Sequence, residues 1–197
     1  MIKKFNYFFQ AFLIYLIFFI GRILGIKISR KLFSHIFCLI GPIFKSKNII
    51  TSNIKNFSKN ISESEIKDIM DNMWRNYGMT FIEYIFLDYF RKNNNHVQII
   101  GLNNISEQIE GGKPVIFVSG HFANFELMSM EITKKNINLA TIYRPLNNFF
   151  LNPLMEFLRK KYVCKNQIKK GINGVREAIE FIKKKNSIAL MIDQRVS

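Results

Sequence analysis

The sequence predicts an α/β fold in which helices flank a mostly parallel β-sheet. The short apolar run "PVIFVS" is rich in β-branched residues, as expected of a strand that is covered on both faces, and "NLATIY" and "SIALMID" are predicted as two further strands. Stretches with helical periodicity separate these runs, and strands that alternate with helices indicate βαβ units with right-handed crossovers. A long apolar segment at the N-terminus adds a helix that we expect to anchor the protein in a membrane.

The N-terminal segment has two parts. Lys3 and Lys4 precede "FNYFFQAFLIYLIFFIG", which is marginal in length for a hydrocarbon core that takes about 20 residues to cross. It either spans the bilayer with snorkelling basic residues or lies in the interface. The following "ILGIKISRKLFSHIFCLIGPIF" is typical of an amphipathic helix on an anionic membrane surface, ended by Gly41-Pro42. We expect residues 1–44 to form this anchor and residues 45–197 to form one globular domain.

Helices with recognisable start and stop signals follow the anchor. Ser62 and Glu65 have the spacing of a capping box, and apolar residues continue the helical pattern to Ile85 with Gly78 inside it. The stretch "NFELMSMEITKK" carries acid at its start and lysines at its end, as the helix dipole favours. Two further helices are predicted from "NPLMEFLRKKY" and "GVREAIEFIKKK".

The charge balance favours anionic partners. Lys and Arg total 29 against 14 Asp and Glu, which gives a formal net charge of +15. Anionic lipid headgroups, phosphorylated substrates, an acidic protein or nucleic acid would suit this charge. Nucleic acid is the weakest of these, because the basic residues are dispersed and no recognised nucleic-acid motif accompanies them. Cys38 and Cys164 belong to no CxxC or Cys/His cluster, so we expect no disulfide, no metal site and a catalytic side in the cytosol.

Three polar residues follow the three predicted strands. His121 comes after "PVIFVSG", Arg144 after "NLATIY", and Asp193 ends "SIALMID". Because ligands of open parallel sheets bind outside the carboxyl ends of the strands, we expect a base, a cation and an acid to share one edge. Taken singly, Arg144 could bind phosphate or be an ordinary surface residue, and Asp193 could orient other groups or merely end a strand. Lys169 and Lys170 could meet substrate phosphates, but in this lysine-rich chain a solvated loop is the favoured explanation for each.

The spacing of His121 and Glu126 indicates acid–base chemistry. On one regular helix they would point about 140° apart, so His121 is expected in the turn before the helix and Glu126 in its first turns. Glu126 could then accept a hydrogen bond from one imidazole nitrogen and leave the other to take a proton from a substrate hydroxyl. No nucleophile elbow accompanies the pair, which favours direct attack by that hydroxyl. Alternatively, Asn124 caps a helix, Glu126 decorates its first turn and His121 is a loop residue.

Several motifs in order resemble one known family. At "VIFVSGHFANFELM", "IYRPLNN" and "GVREAIEFIKKKNSIALMIDQ", the chain resembles the late acyltransferases of bacterial lipid A biosynthesis, of the lauroyl and myristoyl type, within the lysophospholipid acyltransferase superfamily. The family hallmark, His-x-x-x-x-Glu or His-x-x-x-x-Asp, corresponds to His121 and Glu126. The block around Arg144 and the Asp-Gln pair at Asp193 and Gln194 also match. The resemblance extends over essentially the whole chain.

The resemblance implies a glycerolipid acyltransferase-like fold and transfer of a fatty acyl group from acyl carrier protein to a hydroxyl of a lipid A precursor. It places the reaction at the cytoplasmic face of the bacterial inner membrane, and implies no metal and no cofactor beyond the thioester donor. His121 would be the general base and Glu126 its partner. Arg144 would bind or stabilise charged reacting groups, Asn124 would shape the site, and Asp193 would contribute to substrate binding.

Family members continue beyond the Asp-Gln block, whereas this chain ends at Ser197. We therefore expect a C-terminally truncated domain whose last strand has little cover and which is unstable or inactive alone. Two alternatives stay open. The acceptor could be a lysophospholipid or another glycolipid, or the chain could be a non-catalytic fragment that binds membranes through its basic helices.

Overall fold

The computed structural model describes residues 2–193. These residues form two compact units, one of residues 16–86 and the other of residues up to Tyr15 together with those from Leu87 onward. In chain order, the helices and strands are α1 (Ile2–Phe44), α2 (Lys47–Phe57), α3 (Glu63–Glu83), α4 (Leu87–Lys92), α5 (Asn103–Glu110), β1 (Ile116–Ser119), α6 (Glu126–Lys134), β2 (Leu139–Tyr143), α7 (Asn152–Leu158), β3 (Asn166–Lys169), α8 (Ile172–Lys183) and β4 (Ser187–Met191). A 3₁₀ turn lies at Tyr84–Phe86 and a π-helical turn at Arg159–Val163.

The four described strands form one sheet in the order β1-β4-β2-β3, and every adjacent pair is parallel. This confirms the predicted α/β class, the mostly parallel sheet and its three predicted strands. The expectation that the "PVIFVS" strand is covered on both faces is wrong, because β1 is an edge strand of the described sheet and its Ile116 and Val118 side chains are more than half exposed. The pattern did not predict β3, because "NQIK" contains one apolar residue, Ile168, and reads as a polar loop. In the fold, β3 pairs with β2 over four residues, and its Ile168 side chain is 1 % exposed and packs with Ala140, Ala178 and Ile188.

The N-terminal apolar segment forms one long helix, α1, that is interrupted only at Gly25. The backbone angles of Gly25 are φ 75° and ψ 164°, a conformation that favours glycine. This break separates the two predicted halves of the segment. The helix continues through Pro42 to Phe44, slightly beyond the expected end at Gly41-Pro42. By length and composition α1 could cross a membrane, and its most apolar window is mostly exposed.

The unit of residues 16–86 is held together by contacts along α3. The predicted capping box is present, since the Ser62 hydroxyl accepts from the Glu65 backbone N–H and the Glu65 carboxylate accepts from the Ser62 backbone N–H. On the buried face, Ile66 and Trp74 cluster with Ile50 of α2, a helix that the sequence reading did not identify. The short helix α5 was also not predicted.

Gly78 lies inside α3 because another helix approaches it closely. A Cβ atom at this position would collide with the backbone carbonyl of Phe33 in α1 and would lie 2.9 Å from Cβ of Phe37. Both neighbours belong to the same compact unit as Gly78. The glycine is therefore a packing requirement, which outweighs its low intrinsic helix propensity.

We predict that Gly78→Ala destabilises the protein by about 1–3 kcal/mol, as overpacking does, instead of giving the usual gain of ~0.5–1 kcal/mol in a helix. The measurement is the free energy of unfolding in detergent. Asn72→Ala, at an exposed position of the same helix, is the matched control and should be neutral or slightly stabilising. A Gly78→Ala protein as stable as the Asn72→Ala protein would contradict the close helix contact.

Cys164 provides a second test of packing, at the start of β3. Its side chain is 2 % exposed, its thiol donates to the Leu139 carbonyl over 2.9 Å, and burial raises its pKa to about 11. At about pH 8 roughly a thousandth of the thiol would be ionised, so alkylation in the folded protein should be very slow. We predict that a Cys38→Ser variant resists iodoacetamide until it is denatured. Equal labelling before and after denaturation, measured by mass spectrometry, would contradict this packing.

Candidate active site

A cavity of about 340 Å³ lies at the carboxyl edge of the sheet. The loop between β1 and α6 supplies His121, and the start of α6 supplies Glu126. Tyr143 ends β2, and Arg144 follows it. Arg159, from the π-helical turn, completes this part of the lining. The sequence predicted that His121, Arg144 and Asp193 share one edge of the sheet, and the structure places all three there: His121 and Arg144 line the cavity, and Asp193 contacts His121.

Asp193 holds His121 by two hydrogen bonds. The backbone N–H of His121 donates to Oδ2 over 2.8 Å, and its ring Nδ1 lies 2.7 Å from Oδ1. The parallel register explains why His121 and Asp193 are in contact. Ser119 of β1 pairs with Met191 of β4, and His121 and Asp193 each come two positions after these paired residues. The ladder continues past the strands, since the Ile192 N–H donates to the Ser119 carbonyl over 3.0 Å. Adjacent parallel strands therefore bring His121 and Asp193 to the same place.

Gly120 allows the Asp193 carboxylate to come this close. A Cβ atom on Gly120 would lie 3.2 Å from Asp193 Oδ2 and 2.9 Å from a ring carbon of Phe122. Further along the turn, Ala123 has a positive φ of 45°, an uncommon conformation for a residue with a side chain. The turn is thus shaped around the contact between His121 and the carboxylate.

The electrostatics of this pair fix the imidazole tautomer. The hydrogen bonds from His121, first from the backbone N–H and then from the ring, hold the pKa of the Asp193 carboxyl below its usual range. An ionised carboxylate only accepts hydrogen bonds, so Nδ1 of His121 carries the proton. Nε2 is then the nitrogen with a lone pair for a substrate. The side chain of His121 is 30 % exposed and lines the cavity, so solutes can reach it.

Glu126 pairs with Arg159 in the structure. Oε1 of Glu126 accepts from Nε of Arg159 over 2.7 Å and from a terminal guanidinium nitrogen over 2.6 Å, and both side chains are nearly buried. The sequence reading expected Glu126 to accept from the His121 imidazole. In the described residues the hydrogen bonds of His121 go to Asp193 instead, because the strand register places Asp193 beside it.

Arg159 was not identified as a cavity residue from the sequence. It lies in "NPLMEFLRKKY", which reads as an ordinary helix with a basic end, and nothing in that pattern distinguishes Arg159 from its lysine neighbours. In the structure, α7 ends at Leu158 and a π-helical turn begins at Arg159. The guanidinium lies 6.0 Å from the ring centroid of Tyr143. A local change of helix type, which the sequence does not reveal, accompanies the placement of this cation at the cavity.

The Tyr143 side of the cavity is held by a second carboxylate. The Tyr143 hydroxyl donates to Glu156 Oε1 over 2.7 Å, and Asn152 Nδ2 donates to the same oxygen over 2.8 Å. Burial, followed by this hydrogen bond, raises the pKa of Tyr143 to about 12. The same two donors lower the pKa of Glu156. Tyr143 is therefore a neutral, fixed hydrogen-bond donor at physiological pH.

Two cations lie together at the ends of β2 and β3. Tyr143 pairs with Lys169 in the register, so Arg144 and Lys170 follow as the next pair, and both line the cavity. The Lys170 backbone N–H donates to the Tyr143 carbonyl over 2.9 Å, which fixes its position. We favoured a solvated loop for both lysines, and both are exposed, but Lys170 lines the cavity and Lys169 does not.

The remaining predicted or buried polar residues have simpler places. Asn124 is half-buried in the turn before α6, and its backbone carbonyl accepts from the Leu127 N–H over 3.1 Å. Gln194 lies outside the described residues. Oε1 of Gln167 is a buried acceptor that lines the cavity and has no hydrogen-bond donor among residues 2–193. In the same part of the chain, no group of three His, Cys, Asp or Glu side chains could hold a metal ion.

Comparison with known proteins identifies the family of the chain. The sequence model of the bacterial lipid A biosynthesis acyltransferases matches residues 2–197, which is essentially the whole chain. A search of curated proteins gave no match. The family match includes α1, the turn that carries His121, and the strand that leads to Asp193. The chain therefore belongs to the bacterial lipid A biosynthesis acyltransferase family.

Proposed function

We propose that this chain transfers a fatty acyl group from the thioester of acyl carrier protein to a hydroxyl of a lipid A precursor, with His121 as the general base. Family membership supports acyltransferase chemistry on such a precursor. The observation that carries the proposal is the two-point contact between His121 and Asp193 at the cavity. It leaves Nε2 as the nitrogen that can accept a proton.

The proposed reaction has one addition and one elimination. Nε2 of His121 takes the proton of the acceptor hydroxyl while that oxygen attacks the thioester carbonyl, which forms a tetrahedral oxyanion. Asp193 stabilises the imidazolium that results. The intermediate then collapses, the carbon–sulfur bond breaks, and the leaving thiolate receives the proton from the imidazolium. The products are an ester and the thiol of the carrier protein, and no covalent enzyme intermediate forms.

The cations of the cavity suit the charges that this reaction brings. Arg144 and Lys170, adjacent at the ends of β2 and β3, support a role in binding phosphate on the acceptor or in stabilising the oxyanion. Glu126 and Arg159 already neutralise each other, so we propose that Glu126 acts by fixing Arg159 against the cavity. Asn124 supports the shape of the turn that presents His121.

The setting we propose is the cytoplasmic face of the bacterial inner membrane. The apolar helix α1 supports attachment to a bilayer by its length and exposed composition. The net charge of +15 suits an acidic donor protein, anionic headgroups and a phosphorylated acceptor. A lysophospholipid or another glycolipid could use the same chemistry, so the acceptor is decided by assay.

The test is acyl transfer from labelled acyl carrier protein to a lipid A precursor, in membranes that contain this chain or a C-terminally extended form if the gene encodes one. We expect His121→Ala to abolish transfer by whichever form is active. His35→Ala is the matched control, because His35 bonds to Lys31 within its own helix, and it should leave transfer intact.

Three outcomes would count against the proposal. Transfer that survives His121→Ala would remove the assigned base. Transfer to a lysophospholipid and not to the lipid A precursor would replace the proposed acceptor. Absence of transfer from every intact form would favour the non-catalytic membrane-binding alternative.

We predict that Asp193→Asn lowers kcat by about 10²–10⁴, since an amide cannot stabilise the imidazolium and can favour the wrong tautomer. Asp68→Asn, an exposed position on α3, controls for the loss of one negative charge. The measurement is kcat at saturating donor and acceptor. An Asp193→Asn enzyme as fast as the Asp68→Asn enzyme would contradict the role of Asp193.

We predict that loss of either member of the Glu126–Arg159 pair destabilises the fold by about 3–5 kcal/mol, because a nearly buried charge loses its partner. If Glu126 acts only through Arg159, the double variant Glu126→Ala/Arg159→Ala should be no less active than Arg159→Ala alone. Thermal unfolding and kcat/KM are measured on the same samples. Activity losses that add across the double variant would show that Glu126 acts independently of Arg159.

A further inference from the structure

The loop that joins β2 to α7 exposes two adjacent aromatic side chains. It begins directly after Arg144 and contains Phe149, which is 48 % exposed, and Phe150, which is 36 % exposed. Their rings pack on each other with centroids 4.3 Å apart. Neighbouring exposed phenylalanines in a loop indicate an interaction surface for a membrane or for another protein.

This loop, residues 145–151, is attached to the N-terminal part of α1 within one compact unit. The side-chain amide of Asn148 donates to the Tyr7 carbonyl over 2.8 Å, and the Tyr15 hydroxyl donates to the Phe150 carbonyl over 2.9 Å. The Phe149 ring meets Tyr7 edge-on, with centroids 6.0 Å apart. The loop and α1 therefore present their apolar side chains together.

The side chain and carbonyl of Asn148 and the backbone of Phe150, at the tip of the loop, are paired within the protein. Asn148 is 8 % exposed, its Oδ1 accepts from the Phe150 N–H over 3.0 Å, and its backbone carbonyl accepts from the N–H groups of Leu151 and Asn152. The Tyr15 hydroxyl also donates to the Phe150 carbonyl. These bonded groups therefore do not need water as a hydrogen-bond partner. Irregular backbone can enter a lipid environment only when its polar groups are paired in this way.

The neighbouring face of α1 indicates what covers the loop. Phe5, Phe8, Phe9 and Phe12 are each more than half exposed, and the Phe8 ring contacts Phe150 with centroids 5.6 Å apart. Lys3 and Lys4 lie at the start of the same helix. An aromatic face flanked by lysines fits the boundary between acyl chains and anionic headgroups. Two copies of a chain with a net charge of +15 would repel each other at this lysine-flanked face.

We propose that loop 145–151 inserts Phe149 and Phe150 into the acyl–headgroup boundary of a bilayer that contains anionic lipid, beside the N-terminal part of α1. Arg144 immediately precedes the loop. Insertion of the loop therefore holds the part of the cavity lined by Arg144 and Lys170 at the lipid surface. A lipid acceptor could then reach the cavity while its acyl chains stay in the membrane. This inference concerns the position of the site and does not depend on acyl transfer.

The experiment places a tryptophan in the loop of the full chain by Phe149→Trp in a Trp74→Phe background, since Trp74 is the single native tryptophan. The protein is reconstituted in vesicles of phosphatidylcholine and phosphatidylglycerol with brominated acyl chains. We expect a blue-shifted emission that loses most of its intensity to the brominated lipid and little to aqueous acrylamide. Val175→Trp, at an exposed position of α8, is the matched control and should show the opposite pattern.

Two results would overturn the inference. Emission from Phe149→Trp that acrylamide quenches as strongly as that of Val175→Trp would place the loop in water. Emission protected from both quenchers would indicate cover by protein, such as a second copy. If Trp74→Phe fails to fold, the same comparison is made with Trp74 retained, by subtracting the emission of the parent protein.

Discussion

The candidate site depends on the two-point hydrogen bond between His121 and Asp193. The contact is a consequence of sheet architecture, because β1 and β4 are adjacent and parallel and each carries its polar residue two positions past the same register pair. Gly120 leaves room for the carboxylate, and the ionised carboxylate sets the tautomer of the imidazole. A slip of β4 by one residue would therefore remove the acid from the base, even if every side chain were kept.

Two further carboxylates, those of Glu126 and Glu156, have hydrogen-bond donors of their own. Glu126 holds Arg159, and Glu156 accepts from Tyr143 and Asn152, so neither carboxylate competes with Asp193 for the His121 ring. On the far strands, Arg144 and Lys170 are placed side by side by the register of β2 and β3. The cavity thus has His121 at one pair of strands and two cations at the other, and the proposed transfer to an anionic acceptor rests on this arrangement.

Much of this arrangement follows from the sequence, and the reasons for the exceptions are physical. Apolar runs rich in β-branched residues predicted β1, β2 and β4, and the rule for carboxyl ends of parallel strands brought His121 and Arg144 to one edge. The hydrogen-bond partner of the His121 ring was not predictable. The five-residue spacing of His121 and Glu126 does not tell which strand lies next to β1 in the sheet. Arg159 depends on a π-helical turn, and β3 contains a single buried isoleucine, so neither leaves a periodic signal.

The most direct test of the His121–Asp193 contact is nitrogen NMR of the protein labelled at its three histidines, with His121 assigned by its loss in His121→Ala. At a pH where the ring is neutral, the structure predicts that Nδ1 of His121 is protonated and that Nε2 carries the lone pair, and that Asp193→Asn disturbs this tautomer. A proton on Nε2, or a tautomer that Asp193→Asn leaves unchanged, would contradict the assignment of Asp193 as the group that orients the base.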